Sequence, residues 1–97
     1  MAQVIYSDEA FADFERIVEF LLETSPDVAT QALADISSAI GILGAHPFIG
    51  RRVDGRIREL VISRGTAGYL ALYQFDPAFE VVRILRVRHQ REAGYRE

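Results

Sequence analysis

The segment Arg83-Ile84-Leu85-Arg86-Val87-Arg88-His89-Gln90-Arg91, followed by Tyr95 and Arg96, gathers the residue types that act on anions. Guanidinium groups grip phosphate and carboxylate through two parallel N–H bonds, a geometry that lysine does not reproduce. If the segment is a strand, alternation puts Arg86 and Arg88 on one face and Arg83 on the other, with His89, Arg91 and Tyr95 at its exit. Metal-free cleavage of RNA by in-line attack of the 2′ hydroxyl needs a proton acceptor, a cation for the developing phosphate charge and an acid for the leaving oxygen. His89, Arg86 or Arg91, and Tyr95 have the types for these roles. The competing reading is structural. Any one of these arginines is better explained by pairing with an acid such as Glu59 or a helix glutamate, and exposed pairs of that kind stabilise by only ~0–1 kcal/mol. The cluster as a whole reads as a binding face, and the candidate binding residues are Arg58, Tyr69, Tyr73, Arg86, Arg88, His89 and Arg91.

Other chemistries lack support. The chain has no glycine-rich phosphate loop, no Ser-His-Asp order and no neighbouring histidines, so no metal or cofactor is expected. His46, just before Pro47, reads as a surface or capping residue. No cysteine is present, which excludes disulfides and thiolate metal sites and favours a reducing compartment. With no basic leader and no apolar run near the ~20 residues of a membrane span, a cytoplasmic location is expected.

Charge is segregated along the chain. Residues 1–50 carry one arginine against eight acids, a balance of −7, whereas residues 51–97 carry ten arginines against six acids, a balance of +4. A one-sided basic region attracts anionic partners even when the whole molecule is slightly acidic. Ninety-seven residues, 49% of them apolar, suffice for one core, so residues 1–97 are expected to form one domain.

The elements that would position these residues follow from local patterns. Gln3–Tyr6 reads as a strand, and Ser7 with Asp8 and Glu9 is a helix start, with a hydroxyl cap and acids in the first turn. A helix then runs to about Thr24, with Phe11, Phe14, Val18, Leu21 and Leu22 as its apolar stripe. Ser25-Pro26-Asp27 opens a second helix whose stripe is Val28, Ala29, Ala32, Leu33, Ile36, Ile40 and Leu43, and the tight joint makes an antiparallel helical hairpin. Residues 44–55 read as a connector. Residues 57–63, 69–75 and 80–88 are rich in β-formers and read as a three-stranded meander. The expected fold is α+β, in the order β-α-α-β-β-β, with an antiparallel sheet covered on one face by the helix pair. Because Tyr69, Ala71, Tyr73 and Phe75 alternate with Leu70 and Leu72, both faces of the central strand are apolar. The face away from the helices is expected to be covered by the C-terminal tail or by another chain.

This order of elements, with Ser25-Pro26-Asp27-Val28-Ala29, Pro47 to Gly50-Arg51, Arg58-Glu59-Leu60-Val61-Ile62, Gly68-Tyr69-Leu70-Ala71-Leu72-Tyr73 and Ile84-Leu85-Arg86-Val87-Arg88-His89, resembles the RelE/ParE family of type II toxin-antitoxin toxins. The resemblance spans essentially the entire chain. It implies either a ribosome-dependent mRNA endonuclease, as in the RelE branch, or a ParE-like toxin that poisons DNA gyrase without catalytic residues. The RNA-cutting branch commonly has an arginine after the glycine-tyrosine of the middle strand, and here Leu70 stands there; His89, Arg91 and Tyr95 match its C-terminal catalytic residues only in part. The ParE-like side is therefore expected, with no catalytic residues; on the RelE-like alternative these would be His89, Arg91 and Tyr95. A degenerate toxin that only binds antitoxin is a third reading. The resemblance further implies a cognate antitoxin whose disordered segment folds along the toxin, gyrase as the target, and contact with operator DNA only through the antitoxin.

Overall fold

The computed structural model describes the chain except residues 65–66, 93 and 96–97, and the side chains at 63, 64 and 67. The expected turn at 65–66 and Arg96 therefore lie outside the described residues. The elements are β1 (Gln3–Tyr6), α1 (Asp8–Thr24), α2 (Pro26–Gly41) with a 3₁₀ turn at Ile42–Gly44, then β2 (Arg51–Asp54), β3 (Ile57–Arg64), β4 (Ala67–Asp76) and β5 (Val81–His89). The sheet order is β1-β5-β4-β3-β2. The α+β class and the helical hairpin are as expected, with two differences in the sheet. Part of the expected connector is an edge strand, β2, paired with β3. The sheet is mixed rather than antiparallel throughout, because β1 pairs parallel with β5. The extra strand adds one reversal of direction before the meander, which leaves the first and last strands running the same way.

Ser7 starts α1 as its sequence suggests, accepting from the Ala10 amide at 3.0 Å, and its hydroxyl also donates to the Leu85 carbonyl at 2.8 Å. This second bond ties the helix start to β5. The buried face of α1 is Ala10, Asp13, Ile17 and Leu21, a rotation away from the expected stripe. Phe11 and Leu22 are each 56% exposed, while Phe14 joins the core margin and both Phe11 and Phe14 pack on the Tyr6 ring. The cause is polar: Asp13 must face the sheet to satisfy β5, and apolar spacing alone carries no record of that constraint. One residue, Ser25, separates the helices, its amide closing α1 on the Leu21 carbonyl. Pro26 opens α2, which buries Ala29, Ala32, Ile36 and Ile40 and leaves Val28 exposed.

Under the helices lie Ile62, Tyr69, Ala71, Tyr73, Val82, Ile84 and Val87. The β5 core positions are spaced two and then three apart because the pairing shifts between Leu72 and Tyr73: Leu72 opposes Arg86 but Tyr73 opposes Ile84, leaving Leu85 as an extra residue. Such a bulge reverses which side chains face which way. Arg83 and Arg88 consequently both alternate with helix-facing residues, and the expected placement of Arg83 opposite Arg86 and Arg88 is corrected.

Candidate functional site

Beyond Tyr6, strand β5 loses its β1 neighbour, and α1 takes over the exposed edge. Asp13, buried on α1, accepts from the Val87 amide at 2.8 Å and from Arg86 through Nε at 2.8 Å and Nη2 at 3.2 Å. The fork is the strongest geometry available to an ion pair, and here one carboxylate also satisfies a strand amide that would otherwise be orphaned. The hydrogen bond that Arg86 donates to Asp13 and the charge of that carboxylate, partly opposed by burial, raise the Arg86 pKa further, so this cation is locked.

One turn along, Arg16 points to the strand exit. Its Nη1 contacts Glu92 Oε1 at 2.7 Å, and Nη2 lies 3.6 Å from Asp13. Arg16, Ile17, Phe20, Tyr69, His89, Arg91 and Glu92 line a cleft of about 360 Å³ between α1 and the end of β5. The His89 ring stacks edge-on against Tyr69, and its Nδ1 accepts from the Arg91 amide at 3.0 Å.

The face away from the helices has a different centre. Glu59 is buried on β3, alternating with the core residues Leu60 and Ile62. Arg51 donates to it from Nε at 3.1 Å and through Nη2, and the Tyr95 hydroxyl donates to Oε2 at 2.8 Å. Burial pushes the Glu59 carboxyl up, but the hydrogen bonds from Arg51 and Tyr95 and the charges of Arg51 and Arg88 outweigh it and hold the group below the usual carboxylate range. The Tyr95 ring lies under the guanidinium groups of Arg88, at 5.1 Å, and Arg86, at 5.9 Å. Burial and the bond to Glu59 push its phenol well above the ordinary tyrosine value, which makes it a poor proton donor. Arg88 Nη1 holds the C-terminal turn through the Glu92 carbonyl at 2.7 Å, with weaker bonds to those of His89 and Gln90.

These contacts divide the residues singled out in the sequence. Tyr73 is fully buried and Tyr69 is 2% exposed, so both belong to the core and not to an open binding face, although Tyr69 also floors the cleft. Tyr73 accepts from the Gly50 amide at 2.8 Å, and a Cβ at Gly50 would fall 2.6 Å from the Tyr73 ring, so the glycine is set by this approach. Arg58 closes the same connector, donating to the Gly50 carbonyl at 2.8 Å and lying over Phe48. The structure brings His89 and Arg91 together at the cleft but separates them from Tyr95: His89 faces Tyr69 on the helix side, whereas Tyr95 is bonded to Glu59 on the opposite side. Asp13 escaped sequence reasoning, since an aspartate on an acidic helix carries no signal of burial. Glu59 was anticipated only as a pairing partner. Of the basic residues, Arg52, Arg56, Arg83 and Arg91 are exposed and have no ion-pair partner among the described residues. No group of three His, Cys, Asp or Glu side chains that could hold a metal gathers among the described residues.

The chain thus combines a helical hairpin on a mixed five-stranded sheet with an arginine-rich last strand and a short C-terminal turn. Residues 4–94 match the family described as the ParE toxin of the type II toxin-antitoxin system parDE. Two curated relatives come from Caulobacter vibrioides: Toxin RelE3, 34% identical over 95% of this chain and 98% of the relative, and Toxin RelE2, 32% identical over 92% and 96%. Among solved structures, the chromosomal ParDE system of P. aeruginosa aligns at a TM-score of 0.74 with 22% identity over 92% of this chain and 96% of that one. The RelBE2 toxin-antitoxin complex of Mycobacterium tuberculosis aligns at 0.57 with 25% identity over 92% and 98%. The chain belongs to the ParE/RelE family of type II toxin-antitoxin toxins.

Proposed function

We propose that this toxin is ParE-like: it arrests growth by binding DNA gyrase and is neutralised by a cognate antitoxin. The separation of His89 from Tyr95 across the sheet carries the reading, because a nuclease needs its base and acid on one phosphate. The buried Leu70, 6% exposed, adds to it, since no cation can be offered from that position. The antitoxin is supported by the ParDE and RelBE structural relatives, which are toxin-antitoxin systems. Of the three arginines of the last strand, Arg86 is paired with Asp13, whereas Arg83 is exposed without an ion-pair partner among the described residues, so the antitoxin is supported by family membership.

The names of the two Caulobacter relatives, both RelE, favour a second reading as a ribosome-dependent mRNA endonuclease. One preparation separates the two. Purified chain added to gyrase should inhibit supercoiling, and translating ribosomes given the same chain should keep their mRNA intact. Normal supercoiling at excess chain rejects the gyrase target, and cutting that is lost in both His89→Ala and Tyr95→Phe establishes the endonuclease.

A further inference from the structure

Strand β2 and the start of β3 form a hairpin at the edge of the sheet, and residues 51–56 are exposed throughout. From Arg51 to Arg58 the hairpin carries four arginines against one acid, Asp54. Arg51 is committed to Glu59, on the face away from the helices. Arg52 stands directly opposite Arg58, and because Arg58 alternates with Glu59 these two share the helix-side face. The bulge after Arg52 places Asp54 opposite Ile57, on the Glu59 face, which withdraws the hairpin's own acid from them. Gly55, at φ 52°, makes the turn and leaves Arg56 at the tip. Like charges directly opposed across a ladder are destabilising, and no carboxylate among the described residues pairs with Arg52, Arg56 or Arg58. Arg58 is also held in place: its Nη1 donates to the Gly50 carbonyl at 2.8 Å and to that of Phe48 at 3.3 Å, and its guanidinium lies 5.2 Å from the centre of the Phe48 ring. One fixed cation, a second opposite it and a third at the turn form an anion site to which the chain brings no anion of its own.

Shape and surroundings select the anion. A two-stranded ribbon fits the major groove of B-form DNA, about 12 Å wide, whereas the major groove of duplex RNA is too narrow for side chains to enter. Single strands are gripped by stacking bases on open aromatic faces, and the Phe48 ring beside these arginines already lies under Arg58 and against Phe75. The acids of α1 lie over β5, three strands from β2, so they do not repel a duplex running along this edge. A DNA strand offers one phosphate per about 3.4 Å of helix axis, so the three arginines can engage one backbone together without a carboxylate having to be placed for each. We infer that the β2–β3 hairpin contacts duplex DNA directly and grips its phosphate backbone through Arg52, Arg56 and Arg58. A contact of this kind is independent of base sequence and so distinct from operator recognition, which the resemblance leaves to the antitoxin. The inference goes beyond the gyrase reading and holds for free DNA; on a target that itself carries DNA, the contact adds to protein binding by raising the local concentration.

The test is fluorescence anisotropy of a labelled mixed-sequence DNA duplex titrated with the full chain. With two to three phosphates neutralised, affinity should fall about 10- to 40-fold between 50 and 200 mM salt. Arg52→Ala and Arg56→Ala should each weaken binding severalfold at low salt and reduce the slope of log affinity against log salt by about 1, and the double variant should bind little. Arg83→Ala removes an arginine from β5 that is equally exposed and unpaired among the described residues, and should leave both quantities unchanged. Absence of binding at low salt overturns the inference, as does binding retained in the double variant or lowered equally by Arg83→Ala. An equal or stronger hold on duplex RNA of the same sequence, or on octaglutamate, overturns it as well, since the face would then belong to RNA or to an acidic protein segment. Arg58 is left in place because it also closes the connector. The salt slope and the RNA and octaglutamate comparisons on the unsubstituted chain stand if a variant fails to fold. Gyrase takes no part in this titration, so supercoiling inhibited without DNA binding removes the hairpin contact alone, and DNA binding without inhibition removes the target alone.

Discussion

Two buried carboxylates do most to decide what the arginines of this toxin are available for. Asp13 joins α1 to β5 by neutralising Arg86 and capping the Val87 amide, and it does so with both oxygens engaged. Removing one partner of a buried pair leaves the other charge uncompensated, which typically costs about 3–5 kcal/mol. Asp13→Ala should accordingly lower the urea midpoint by most of the margin that a domain this small possesses, whereas Glu15→Ala on the exposed side should leave it nearly unchanged. Glu59 plays the matching part on the opposite face, and its lowered pKa fixes a sign. A depressed carboxylate stabilises the fold above its unfolded value and loses that contribution as pH falls through its folded value. Because Arg51 is 71% exposed, the pair is screened and the contribution is modest, about 1–2 kcal/mol with the Tyr95 bond included. Urea titrations should find Glu59→Gln less stable than the unsubstituted chain at pH 7, with the gap beginning to close below about pH 4, the ordinary carboxylate range, and gone only once the pH is below the lowered folded value; a gap that does not narrow as the pH falls below about 4 contradicts this role.

Elements in this fold are joined by side chain–backbone bonds at their ends. Ser7 ties α1 to β5, and Arg58 and Tyr73 pull the connector onto the sheet, so that β2 can pair along β3. Tyr73→Phe deletes only the acceptor for the Gly50 amide and should cost about 1–3 kcal/mol, the penalty for a buried amide left unmatched. Faster hydrogen exchange at Gly50, with the amides of β4 still protected, is the accompanying signature; unchanged exchange at Gly50 would show that the hydroxyl is dispensable. The helices themselves were readable, down to the single-residue joint at Ser25, because caps and proline act locally. The orientation of α1 was not, since Phe11 and Leu22 are more apolar than Ala10 and Asp13, which face the sheet in their place. Strand β2 was missed for a related reason: Arg51, Arg52 and Asp54 carry no β-signal, and a short edge strand needs none when charge guards it against pairing with other chains.

At the scale of the whole molecule, the acidic first half and the arginine-rich second half fold onto one another. Asp13 meets Arg86, and Arg16, the one arginine of the first half, meets Glu92. Part of the charge segregation along the chain thus becomes internal pairing in space, while Arg52, Arg56, Arg83 and Arg91 stay exposed without an ion-pair partner among the described residues. Inhibition of gyrase by the isolated chain is the outcome expected at this scale. The uncovered apolar face foreseen on the sheet is only partly present: Val61 remains half exposed, while Tyr95, from the chain's own C-terminal segment, lies over Arg86 and Arg88.

From the sequence by itself came the α+β class, the helical hairpin and the meander, because these depend on periodicity, caps and turn residues that act over a few positions; the family came from the resemblance of its motifs in order. Which arginines remain available, which side His89 and Tyr95 face, and that Glu92 pairs with Arg16 were decided only in three dimensions. The bulge at Leu85 changes the phase of β5 by one residue, and ion pairs between residues more than seventy positions apart obey distance in space, on which spacing along the chain has no bearing.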